Sequence, residues 1–237
     1  MNLIVDIGNT VLKAAVADGV TLGRTYRYQG EKGIDFIVDL AFRLHPEKMV
    51  ICSARILTVN EIEKISSCCG TLVIIDPEHN TVAEEAELPE YITPSSVAAI
   101  IAARHLFKSK GCSIFDFGTT IASFFINSEG QYLGGNISPG CTTRFKSISR
   151  YARNLPLLSE TEEIENIGNS LNSSIRSGVV SGIMFEIEGY MALYPDNITI
   201  FTGGDAIYFA KRTKNSIFVV CNLVLMGLAL VADRYEK

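Results

Sequence analysis

The residues best suited to chemistry stand at the start of the chain. Leu3-Ile4-Val5 is an apolar run, Asp6-Ile7-Gly8-Asn9-Thr10 is polar, and Val11 to Val16 resumes an apolar run that carries Lys13. Two strands joined by a tight polar turn predict a hairpin. The turn suits a polyanion with its metal. Gly8 lets backbone N–H groups approach phosphate oxygens, Asn9 and Thr10 donate to them, and Lys13 adds a point charge. Asp6 is a hard oxygen ligand for Mg²⁺, directly or through water. A buried hairpin with a polar turn is the plainer reading of the same residues.

Roughly half a chain later, Ser113 to Phe125 (SIFDFGTTIASFF) repeats the plan, with Asp116-Phe117-Gly118-Thr119 at the turn. A repeat at this scale predicts two hairpin-led α/β halves. A third glycine turn, Thr202-Gly203-Gly204-Asp205-Ala206, follows a β run. Its glycines would let a flat ligand lie on the backbone, and Asp205 would cap the next helix or accept from a sugar hydroxyl. Gly134-Gly135-Asn136-Ile137-Ser138-Pro139-Gly140 reads as a glycine-bracketed loop that closes on a ligand or merely bends. Arg144 lies just beyond it, either within reach of a ligand anion or on a solvated helix face. Tyr91, before Thr93-Pro94, is a candidate pocket wall. His45, His79 and His105 lack partners at catalytic spacing and are read as structural.

These groups need elements to hold them. Arg24 to Tyr28 reads as a third strand, Ile34 to Leu44 as a helix, Lys48 to Cys52 as a buried strand, Thr58 to Ser67 as a helix and Thr71 to Ile75 as a strand. That order is a βαβ unit in a partly parallel sheet. Asp76 to Ser96, with Pro77, Pro89 and Pro94, reads as an irregular connection. Ser96 to Phe107 is apolar on nearly every side and predicts a helix buried between the halves, capped by Ser95 or Ser96. Arg144 to Arg153 predicts a basic helix. Asn172 to Tyr194 predicts a long one whose Gly178, Gly182 and Gly189 suggest close packing. Thr199 to Thr202 predicts a strand, and Asn222 to Tyr235 a closing helix. The halves divide at 1–95 and 96–237.

The 237 residues suffice for one large or two small domains. A net charge of −5 argues against a nucleic-acid surface. No run approaches the roughly 20 apolar residues of a membrane span, and no basic leader precedes the first strand, so neither a membrane anchor nor a signal peptide is expected. The six cysteines form no C-x-x-C pair and have no histidine at zinc spacing; reduced thiols in a cytoplasmic protein are expected.

The series DIGNT with Lys13, Tyr91-Ile92-Thr93-Pro94, DFGT, GGNISPG and TGGD resembles type III pantothenate kinases, a family of the sugar kinase, actin and heat-shock ATPase superfamily. The resemblance runs over essentially the whole chain. It implies an α/β fold of two ribonuclease H-like (actin-like ATPase) halves with a cleft between them. It implies ATP-dependent phosphorylation of pantothenate to 4′-phosphopantothenate, the first step of coenzyme A biosynthesis. Mg²⁺, a monovalent cation (K⁺ or NH₄⁺) and a homodimer with pantothenate at its interface belong to the same expectation. Carried over, Asp6, Gly8, Asn9, Thr10 and Lys13 would bind the ATP phosphates, with Asp6 at Mg²⁺. Thr119 would touch ATP, Gly203, Gly204 and Asp205 would lie by the nucleoside, and Asp116 would hold the monovalent cation. Tyr91, Gly135, Leu171 and Arg144 fall to the substrate. The chain departs from the family where a Gly-x-Asp-Arg, with its general base, normally follows Thr-Pro: no Asp or Glu occurs from Ile92 to Gly111. Phe117 replaces an alanine, Ala122 a threonine, and Leu171 a substrate-contacting threonine. The alternative is a catalytically impaired or regulatory paralogue that binds nucleotide or partners an active subunit.

Overall fold

A computed structural model describes residues 1–234. The chain forms two compact units, Met1–Leu106 joined by the segment from Asn222 onward, and Phe107–Cys221.

In the first unit, β1 (Asn2–Ile7), β2 (Leu12–Asp18) and β3 (Thr21–Tyr28) make an antiparallel meander, and β4 (Lys48–Ser53) and β5 (Thr71–Ile75) extend it in parallel, in the order β3-β2-β1-β4-β5. The parallel pairs need crossovers, supplied by α1 (Gly33–Leu44) and α2 (Val59–Ser66). Period-two alternation divides the sheet's faces. Leu3, Val5, Ala14, Met49 and Ile51 pack with Ile37, Leu40 and Ile65 of α1 and α2. The opposite face is covered by α4 (Pro94–Leu106) and α8 (Leu223–Arg234). Gly227 lets the backbones of α4 and α8 meet: a Cβ there would collide with the Ala98 carbonyl. Lys48, buried at the start of β4, donates to the Ala232 carbonyl of α8 at 3.0 Å.

The second unit repeats the topology. β6 (Cys112–Phe117), β7 (Thr120–Ile126) and β8 (Tyr132–Pro139) form the meander, and β9 (Ile198–Gly203) and β10 (Phe218–Val219) run parallel to β6, in the order β10-β9-β6-β7-β8. One face packs on α5 (Cys141–Tyr151), α6 (Leu171–Leu193) and α7 (Ala206–Ala210) through Phe115, Phe117, Phe145, Phe201 and Phe209. The two expected α/β halves are thus present, each led by an aspartate hairpin and each built on a five-stranded sheet of the same strand order.

Several expectations change. The sequence divides at 95/96, whereas α4 and α8 pack on each other and on the first sheet, so that unit takes both in. The cap of α4 is Thr93, whose Oγ1 accepts from Ser96 N at 3.4 Å; Ser95 turns elsewhere. The long connection carries a short helix, α3 (Thr81–Glu85). Residues 132–139 are a strand, not a loop, because β8 completes the β7 ladder. Gly178 and Gly189 of α6 face open space, so they are not closely packed within the chain. The closing helix is described to Arg234; Tyr235 lies outside the described residues.

Candidate active site

The first hairpin ends as its residues dictate. Gly8 N donates to Val11 O at 3.2 Å, closing the turn, with Asn9 and Thr10 exposed at its tip. Register sets Lys13 directly across from Asp6, so both side chains share the α4 face. Asp6 is nearly buried there, and Ser95, in the first turn of α4, donates to its Oδ1 at 2.9 Å. Cys52, beside Asp6 on β4, lies 3.4 Å from the same hydroxyl. Burial first, and then the Asp6 charge, push the Cys52 thiol well above its usual value, with the Ser95 hydrogen bond opposing them. It therefore adds a neutral dipole. On the α1–α2 side of the turn lies a cleft of about 200 Å³, lined by Gly8, Asn9, Thr10, Tyr28, Arg55 and Glu61.

The neighbouring strand end holds a group that spacing alone did not single out. The Asp76 carboxylate is buried directly after β5. Its Oδ1 accepts from the Glu78 and His79 backbone N–H groups and lies 2.9 Å from His79 Nδ1, and its Oδ2 meets Leu57 N at 3.5 Å. Burial pushes Asp76 up, but these hydrogen bonds outweigh it and hold the carboxyl below its ordinary value. The imidazole is 59 % exposed. The signal was present as Asp-x-x-His at a strand exit.

In the second unit, Asp116 pairs in register with Ala122 on β7 and Thr202 on β9. Gly118 N donates to Thr120 O and Gly140 N to Thr119 O, both at 3.0 Å, which leaves Thr119 exposed at the turn. Gly203 has φ +93°, and a Cβ on it would run into Asp116 Oδ1 and the Phe117 backbone. Only glycine brings the β9 exit this close to the second aspartate. Asp205 N bonds Phe117 O at 3.2 Å, while the Asp205 side chain makes no cap bond to α7. Burial, then the Glu160 charge, raise its carboxyl pKa. Asp116, Gly118, Thr119 and Gly203–Asp205 are therefore brought together. Phe117 is a core residue, edge-on to Phe201 (4.8 Å between centroids) and stacked on Phe209 (4.9 Å).

The residues read as substrate contacts are more scattered. Tyr91 is 72 % exposed, and Leu171 opens α6 with 56 % exposure. Gly135 lies within β8, where a Cβ would press on the Ser123 carbonyl. The Arg144 guanidinium is engaged: Nε donates to Pro139 O at 2.8 Å, and Nη2 pairs with Glu186 of α6, which also accepts from Ser138 Oγ at 2.6 Å. It braces β8 against α6. Among the described residues no group of three or more His, Cys, Asp or Glu could by itself hold a metal ion, and all six cysteines are free.

Among solved structures, the chain resembles a Baf family protein of Campylobacter jejuni (TM-score 0.65, 17 % identity, 99 % of this chain and 100 % of that one). It also resembles the activator of 2-hydroxyisocaproyl-CoA dehydratase from Clostridium difficile, solved with ADPNP bound (TM-score 0.58, 13 % identity, 100 % and 95 %). At these identities the likeness is one of fold, that of the actin-like ATPases. Sequence similarity goes further. A Bacteroides fragilis protein is 33 % identical over 235 residues, 96 % of both chains. One from Flavobacterium johnsoniae is 34 % identical over 246 residues, 97 % of this chain and 96 % of the relative. Both are named type III pantothenate kinase. The model of the family described as type III pantothenate kinase matches residues 2–193, which carry both aspartate hairpins and α4, and on these grounds the chain belongs to the type III pantothenate kinase family.

Proposed function

We propose that the chain transfers the γ-phosphoryl group of ATP to the hydroxyl of pantothenate, giving 4′-phosphopantothenate for coenzyme A synthesis in the cytoplasm. The carrying observation is the Asp6 hairpin, in a chain of this family, with Lys13 across from the carboxylate and Ser95 oriented onto it. A kinase of this fold uses ATP and a divalent metal. Phosphoryl transfer depends mainly on positioning and on stabilising charge, and this hairpin offers backbone N–H groups, a cation and a carboxylate within one turn.

In this reading Asp6 would hold Mg²⁺, a hard cation suited to a carboxylate oxygen. Held there, the cation would supply charge neutralisation to the phosphates. Gly8, Asn9, Thr10 and Lys13 receive the phosphates, Thr119 touches ATP, and Gly203, Gly204 and Asp205 lie by the nucleoside. Asp116, against which Gly203 brings the β9 exit, would hold the monovalent cation, K⁺ or NH₄⁺. Tyr91, Gly135 and Leu171 contact pantothenate; Arg144 does so only by exchanging Glu186 for the substrate carboxylate.

A second copy of the chain supplies the remaining wall. Ser174, Gly178, Gly182, Phe185, Gly189 and Ala192 recur at helical spacing along α6. Phe185 is 70 % exposed, and Gly178 and Gly189 have nothing against them. Small residues flanking one aromatic ring let two such helices approach closely.

The test is an ATP- and K⁺-dependent phosphorylation assay with pantothenate. Wild-type protein should turn over, and Asp6→Asn should lose about 10²–10³-fold in kcat. Wild-type protein that binds ATP by calorimetry yet phosphorylates no pantothenate would overturn this reading in favour of a regulatory, nucleotide-binding homologue.

A further inference from the structure

An alcohol attacking a phosphoryl group must give up its proton, and the α4 entrance offers no carboxylate for this: no Asp or Glu occurs from Ile92 to Gly111. The parallel strands β1, β4 and β5 end on the same edge of the sheet. β1 ends at the Asp6 turn, and β5 runs directly into Asp76. Adjacent strands are about 4.8 Å apart, so the two strand ends lie about 10 Å from each other. In register Asp6 aligns with Cys52 and Ile75, so Asp76 stands one residue beyond Asp6 at this edge.

The loop that follows β5 is held firmly. Asp76 N donates to His79 O at 3.2 Å and His79 N to Asp76 O at 3.1 Å, so the turn closes on itself. Asn80 Nδ2 donates to Ile92 O at 3.4 Å, tying the loop to the chain two residues before α4 begins. Asn80 Oδ1 is buried without a partner beside it. The buried Asp76 carboxylate can only accept hydrogen bonds while ionised. It therefore places the proton of the neutral ring on Nδ1 and leaves the lone pair on Nε2. With the ring more than half exposed, Nε2 has no protein partner among the described residues.

We propose that His79, oriented by Asp76, is the general base of this kinase, accepting the proton of the pantothenate hydroxyl at Nε2. The proposal rests on the function given above. As the O–H proton passes to Nε2, the hydroxyl oxygen forms a bond to the γ-phosphorus. The bond from that phosphorus to the β,γ-bridging oxygen breaks, and its electron pair leaves with ADP. The imidazolium so formed is neutralised by Asp76 and returns its proton to solvent. His79 touches the reacting oxygen; Asp76 is a positioning residue.

The experiment compares wild type, His79→Ala and Asp76→Asn in the pantothenate assay, with ATP affinity measured by calorimetry and added imidazole as a probe. His79→Ala should lose about 10²–10⁴-fold in kcat with ATP affinity unchanged, and imidazole should restore part of the rate. Asp76→Asn should also lose kcat, but without rescue, because the ring still fills the site in the wrong tautomer. Wild-type kcat in His79→Ala, or a loss that imidazole does not relieve, would overturn the proposal while leaving the kinase intact. An inactive wild type would overturn the function itself and this base with it.

Discussion

At the scale of single residues, the charged groups of the first unit separate by what holds them. Glu61 is fixed by Arg55, with contacts of 2.5 and 2.9 Å, and by the Thr58 backbone and hydroxyl, forming the capping box that starts α2. The Arg55 hydrogen bond, working against partial desolvation, lowers the Glu61 carboxyl from 4.5 to about 2. A depressed carboxylate stabilises the fold fully above its unfolded value and loses that contribution as pH falls through its folded one. Wild type should therefore lose stability between about pH 4.5 and pH 2 in part through Glu61. Glu61→Gln should lower the urea midpoint at pH 7 and converge with wild type near pH 2; a constant gap across that range would refute the assignment. Phe117 carries a different lesson. Where the resemblance implies alanine, this chain places a ring that Phe201 and Phe209 enclose, so Phe117 serves packing.

At the scale of elements, apolar period and turn residues located most strands and helices, since burial of one face is a local pattern. Partnership was not local. The uniformly apolar α4 has no preferred face in its sequence, so its partner could not be read from it. Gly227 on α8 decides the matter by bringing that helix's backbone against Ala98. Gly227→Ala should force the helices apart and cost about 2–3 kcal/mol as overpacking, read as a lower urea midpoint. Since Asp6 is oriented by Ser95 on the first turn of α4, ATP affinity should fall as well. Unchanged stability would mean that the two helices separate freely. The glycine-bracketed stretch 134–140 became β8 because β7 offered it a ladder, a fact its loop-like composition concealed.

At the scale of the whole molecule, no helix among the described residues is long and apolar enough to cross a membrane, and the proposed dimer can be tested on the α6 stripe. Phe185→Glu places a charge on that stripe, away from the residues assigned to ATP. Sedimentation should show a dimer for wild type and a monomer for the variant, with ATP binding retained and the KM for pantothenate raised. A wild-type monomer, or a variant that remains dimeric, would remove α6 as the interface.

The sequence by itself determined the two aspartate hairpins, the βαβ unit of the first half and the glycine exit at Gly203, because turn chemistry and alternation are written in consecutive residues. It also carried the family resemblance and the lack of a carboxylate after Pro94. Only the tertiary structure decided what surrounds those residues. Ser95, 89 positions away in the chain, became the partner of Asp6 and not a helix cap. Arg144 was committed to Glu186, 42 positions on. His79, read from spacing as structural, was set upright at a strand end by a buried aspartate. The first two depend on which elements fold against one another, and that is settled by packing between segments far apart in the chain; the Asp76–His79 pair is local, and what the fold added there is the burial of Asp76.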